Sequence, residues 1–218
     1  MVGIGAILAQ GAALGFAIAA PVGPIGLLCI RRTLVQGAGV GLASGVGAAA
    51  ADACYGLLTA LGLGTLASLL VAHTALLRIG GGLLLAVLGL MALRHAVVAT
   101  GTTNQTGGGR PATGLFLAFG STFVLTLANP ATILSFAGAV AALASPGDTA
   151  AGSLETTTGN GLALVAGVFA GSVAWWLILV SGVSVARHAL SATAIRVIEA
   201  IAGAAFLGLG AYAIRAGL

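Results

Sequence analysis

The stretch "GAAAADACY" (47–55) sets one carboxylate, Asp52, among small apolar residues. An acid inside a long apolar run is costly to keep charged, and such acids are usually functional. Asp52 therefore suits a group that alternates between a proton-bound form and one engaged with a substrate or cation. A structural hydrogen bond, or partnership with an arginine, is the plainer use. In "LANPATILSF" (127–136), Asn129 brings donors and an acceptor next to Pro130. It can cap a half-helix or touch a polar ligand. In "IAAPVGPIGLLCIR" (18–31), Pro21, Gly23 and Pro24 interrupt an apolar run. Proline lacks a backbone donor and clashes with the preceding turn, so both places read as helix breaks. Tyr55 and Trp175 accompany the polar positions, with Trp176 adjacent to Trp175 and Ser172 as a second small polar residue; walling or gating a cavity and ordinary packing both fit them.

These residues sit in a chain that only a membrane accommodates. Of 218 residues, 59% are hydrophobic and 6% are charged, with mean hydropathy +1.16. Soluble domains carry about 25% charged residues. A spanning helix needs about 20 mostly apolar residues. Six segments qualify, at roughly 5–30, 37–64, 75–98, 113–144, 161–186 and 197–216. The fold class expected is an all-α membrane protein. Residues 100–112 form a Gly/Thr-rich cytoplasmic linker between a first triplet (1–99) and a second (113–218), within one membrane domain. A second polar loop covers 145–160.

The pI of about 10.1 comes from eight arginines that stand singly or in pairs at the ends of apolar runs. That is a topology signal and not a phosphate-binding patch, so nucleic acid is excluded as a partner. Arg31, Arg32, Arg94, Arg110, Arg187 and Arg196 follow spans 1, 3 and 5; Arg78 and Arg215 lie on the other side. This bias puts the first set in the cytoplasm and both termini outside, with Arg31 and Arg32 anchoring the cytoplasmic end of span 1 and a cytoplasmic gate as their second reading. Cys29 and Cys54 show no CxxC or Cys/His spacing, so no metal site or cofactor is expected.

The triplets resemble one another. Gly47, Ala51, Asp52 and Tyr55 of span 2 match Gly167, Gly171, Ser172 and Trp175 of span 5; Gly82, Gly89 and Arg94 match Gly203, Gly210 and Arg215; Pro24 matches Pro130. An odd number of spans per copy makes the second copy enter from the opposite face. The expected fold is therefore six transmembrane helices as two inverted three-helix repeats, with helices 1 and 4 broken. Paired breaks in such repeats point to a substrate site near the midplane. Pro21, Gly23, Pro24, Asp52, Tyr55, Asn129, Pro130, Ser172 and Trp175 are its candidate residues, and Asp52 is the candidate for proton coupling. Gly37, Gly41 and Gly45, like Gly167 and Gly171, form small-xxx-small faces for close helix approach. Packing within the fold is favoured over a homodimer seam.

The block "PVGPIGLLCIRRTLVQGAGVGLASGVGAAAADACYGLLTALG" followed by "LANPATILSF" resembles the lysine-exporter (LysE/RhtB) family of bacterial amino-acid efflux proteins, over essentially the whole chain. The shared features are the Gly-Pro of span 1, the Arg pair and glycines after it, the acid of span 2 and the Asn-Pro of span 4. Ala131 follows Pro130 where a Lys is common. The resemblance implies a non-enzymatic antiporter of the bacterial inner membrane that exports amino acids or related small solutes on the proton gradient. A metal-cation exporter is the alternative, although one acid is thin coordination for a hard divalent ion. A thiol–disulfide relay would want a cysteine in each half, and both cysteines lie in the first.

Overall fold

The structure, a computed structural model, describes residues 3–21, 23–60, 73–98, 112–129, 132, 133, 135, 136 and 158–218. These form seven helices: α1 (Ile4–Ala19), α2 (Pro24–Gln36), α3 (Ala38–Ala60), α4 (Thr74–Val98), α5 (Ala112–Leu127), α6 (Thr158–Arg187) and α7 (Ala192–Gly217). No strand occurs among the described residues. Among the described residues three helices are long and apolar enough to cross a membrane, and four when α1 and α2 count as one bent span. The linker at 100–111, Pro130 and most of the 145–160 loop lie outside the described residues; Ala112 already begins α5.

The first expected break is present. α1 ends at Ala19, and α2 starts at Pro24 after a bend of 81°. Pro24 takes the first position of α2, where its missing N–H costs no intrahelical bond. The helix then runs to Gln36, six residues beyond the expected end of span 1 at residue 30. The turn into α3 is Gly37 alone, at φ 91°, a conformation that favours glycine. The reason for the longer helix is that Arg31 and Arg32 are buried and not anchored in a loop.

α2 is the centre of the molecule. Its Ile25, Leu28 and Cys29 join Ala48 of α3, Leu85 of α4, Leu125 of α5, Trp176 of α6 and Phe206 of α7 in one core. Around it the outer helices pair through small residues. A Cβ on Gly15 of α1 would strike the Val168 carbonyl of α6, and one on Gly171 would strike the Ala12 carbonyl of α1. α4 and α7 run antiparallel: Gly82 abuts Gly210, Gly89 abuts Gly203, and Gly217 abuts Ala75. On α3, Gly41 packs on Thr33 and Gly45 on Trp176. These faces are therefore consumed inside the fold, where only small side chains permit the approach.

That geometry makes Gly171→Val a test of packing. Its Cβ has no flexible neighbour to displace, so the variant loses about 1–3 kcal/mol, the usual cost of overpacking, read as a lower melting temperature in detergent. Gly120→Ala, with nothing within 4 Å of the new methyl, leaves that temperature unchanged or raises it slightly.

Candidate functional site

The two interrupted segments meet. A cavity of about 60 Å³ is lined by Pro21, Gly23 and Pro24 from the α1–α2 break, Thr126, Asn129 and Thr132 around the end of α5, Asp52 and Ala48 of α3, and Trp176 of α6. It lies about halfway along α3 and α6, because Asp52 and Ser172 are near the middle of their helices.

Each wall has a local cause. At the first break, Ile25 and Gly26 carry the opening N–H groups of α2 and also line the cavity. The first amides of a helix have no intrahelical acceptor, and the end of the helix favours negative charge. At the second, the Asn129 carbonyl accepts from the Thr132 and Ile133 amides, while its own amide donates to the Thr126 carbonyl. Asn129 thus serves as a backbone cap between two helical pieces. Tyr55 donates its hydroxyl to the Leu127 carbonyl at 2.6 Å and stacks on Phe136 at 5.4 Å. It props the broken end of α5 and does not line the cavity.

Asp52 is 3% exposed. Ser172, buried on the facing helix, donates to its Oδ2 at 2.7 Å, and the Trp176 indole N–H donates to the Ser172 hydroxyl at 3.2 Å. Asp52 has no basic partner among the described residues. Its charge, when present, therefore calls for a cation or a proton from the cavity side. Trp175, expected at the site, instead packs edge-on against Phe16 of α1 at 5.5 Å. The place is taken by Trp176, one helical step of about 100° further round. Pro130 lies outside the described residues.

A second buried polar system lies toward the other end of α2, and the sequence reading missed it. Arg32 Nη1 donates to Ser44 Oγ (2.8 Å), Thr122 Oγ1 (2.8 Å) and the Ala118 carbonyl (3.0 Å), and Nη2 donates to Ser121 Oγ (2.8 Å). The Ser44 and Thr122 hydroxyls give their own protons to carbonyls one turn back, leaving lone pairs for the guanidinium. Arg31 pairs with Glu199 of α7 at 3.2 Å, both buried, and Arg31 Nε has no hydrogen-bond partner among the described residues. Glu199 is thus a second acid buried inside an apolar helix, beside Asp52. The available signal was Glu199 itself, an acid inside an apolar helix to which the same cost applies.

A larger cavity, about 350 Å³, shares Pro24, Ile25 and Asn129 with the small one and extends to Arg78 and Ala216. From Leu209 to Ala216 is seven residues of α7, about 10 Å at 1.5 Å per residue. From Leu209 back to Glu199 is ten residues, about 15 Å. The open volume therefore lies on the side of the breaks away from Arg31. Among the described residues no three His, Cys, Asp or Glu side chains gather as a metal site would need. Cys29 and Cys54 are both free thiols.

The chain matches the family model described as LysE type translocator over residues 16–217. No curated protein and no solved structure matches it significantly. With nearly the whole sequence under one family model, apolar spanning helices and a cavity at paired helix breaks, the chain is a multi-pass membrane transport protein and belongs to the LysE type translocator family.

Proposed function

We propose that the protein exports amino acids or related small metabolites across the bacterial inner membrane, exchanging them for protons. The observation that carries this reading is the single cavity shared by both helix breaks and Asp52. Its two ends differ in sign. The N-terminus of α2 suits a carboxylate, and Asp52 suits an ammonium group or a proton, which is the charge pattern of a zwitterion. Ser172 steadies Asp52, Trp176 walls the cavity, and Asn129 and Tyr55 hold the broken α5 in place.

The six-span arrangement as two inverted triplets is part of the proposal. An offset of 121 takes Gly82 to Gly203 and Gly89 to Gly210. Under that exchange the contact Gly82–Gly210 becomes Gly203–Gly89, which also occurs. An offset of 120 takes Asp52 to Ser172, and these two bond to each other. α1 lies against α6 as α5 lies against α3, with Gly47 of α3 abutting Phe119 of α5. A two-fold relation accounts for all of these at once. With both termini outside, the buried Arg31 and Arg32 system closes the cytoplasmic side, and the 350 Å³ cavity faces the exit.

The purified protein in liposomes tests the reading. Labelled amino acid preloaded on one side moves against its gradient when a pH difference is imposed, and a protonophore stops it. Folded protein that moves none of the amino acids offered would overturn the export reading. Movement indifferent to the pH difference would overturn the coupling.

A further inference from the structure

We infer that the 350 Å³ cavity between α2, α4, α5 and α7 is the side-chain subsite for the transported molecule. It selects amino acids with one apolar side chain of leucine to phenylalanine size. The inference rests on the export reading above and narrows its substrate class.

Volume makes the first argument. The chamber beside Asp52 measures about 60 Å³, room for only a few waters and so for the ammonium and carboxylate groups of a zwitterion. The remainder of the molecule needs space that begins where the chamber ends. Pro24, Ile25 and Asn129 wall both cavities, so the larger one is that continuation. At about 350 Å³ it falls within the range of small-molecule pockets, about 300–1,000 Å³.

Lining chemistry makes the second. Leu85, Leu125 and Leu209 supply an apolar wall, and Gly81, Gly82 and Ala213 leave room between them. Among the described residues the one charged side chain that lines it is Arg78, whose Nη1 donates to the Ala216 carbonyl at 3.1 Å. Among the described residues neither cavity offers a carboxylate besides Asp52. A lysine-like substrate would carry its second cation toward Arg78 with no anion to receive it. An aliphatic or aromatic side chain meets a wall that is mostly hydrocarbon, with Arg78, Asn129 and Tyr212 as its polar members.

Leu209 is the position to vary, because it lines the cavity yet is 39% exposed, so folding tolerates a change. Counterflow of labelled alanine, leucine, phenylalanine and lysine is measured in phosphatidylethanolamine–phosphatidylglycerol liposomes. The unaltered protein favours leucine and phenylalanine over alanine and lysine by about tenfold or more, the discrimination that a few methylenes provide in an apolar pocket. Leu209→Trp lowers the leucine-to-alanine ratio by about tenfold while alanine still moves. Leu209→Ala raises phenylalanine relative to leucine. Lysine moving as fast as leucine overturns the subsite and leaves amino-acid export standing. So does a Leu209→Trp ratio equal to the unaltered one, or an equal loss of alanine and leucine, as an acyl chain of the bilayer occupying the cavity would give. Failure of all four in the unaltered protein overturns the export reading together with the subsite.

Discussion

Asp52→Asn abolishes proton-driven accumulation while leaving the folded protein intact. The substitution keeps shape and keeps an oxygen that accepts the Ser172 hydroxyl, so the crossing of α3 and α6 is preserved. What disappears is a charge that can be exchanged for a proton. A hydrogen bond from an ammonium group to a carboxylate contributes about 1.5–3 kcal/mol, so transport falls between about 10-fold and 100-fold. The measurement is accumulation driven by an imposed pH difference in liposomes, beside the melting temperature in detergent. Ser172→Ala is the comparison. It removes a neutral donor behind the carboxylate and keeps the exchangeable charge, so coupling persists at reduced rate. Undiminished coupling in Asp52→Asn would take Asp52 out of the mechanism, and a collapsed melting temperature would make it a structural residue instead.

Much of this site is legible in the sequence because its rules are local. Proline cannot continue a helix, so "PVGPIG" announces the bend wherever the rest of the chain lies. An acid among alanines stands out by its cost alone. The pairing of Asp52 with Ser172 is legible at one remove: both occupy the same register of similar helices, and helices that cross at matched positions bring matched residues together. Side chains one step apart are harder. Trp175 and Trp176 are equally apolar neighbours, and only the rotation of α6 against α3 puts Trp176 at the cavity and Trp175 against Phe16. The arginines were misplaced for a different reason. Charges at the end of an apolar run ordinarily reach for water or headgroups. Arg31 and Arg32 turn inward because partners arrive from distant segments: Glu199 from 168 residues away, and the α5 hydroxyls from about 90. No window along the chain contains both members of such a pair.

That inward turn fixes the second large effect. Glu199→Gln destabilises the protein by about 3–5 kcal/mol, the cost of stranding one member of a buried ion pair. Arg31 is 5% exposed and already has an Nε without a hydrogen-bond partner among the described residues. Replacing both charges with apolar residues of similar size, Arg31→Met with Glu199→Leu, recovers most of that loss, since such pairs offset little more than their own desolvation. Stability alone thus leaves the pair with no net reason to exist, which turns attention to movement. The pair ties α2 to α7 about 15 Å along α7 from the cavity, while Arg32 ties α2 to α3 and α5 at the same end. Access to the cavity from that side requires α2 to part from these partners, and an ion pair can break in water and re-form in the closed state, whereas interlocked hydrocarbon cannot exchange partners that way. The double replacement therefore folds, with a melting temperature near that of the unaltered protein, and transports poorly. A double variant that is both stable and fully active would show that the pair serves neither closure nor opening, and α2 would then have to be fixed by Arg32 and the core alone.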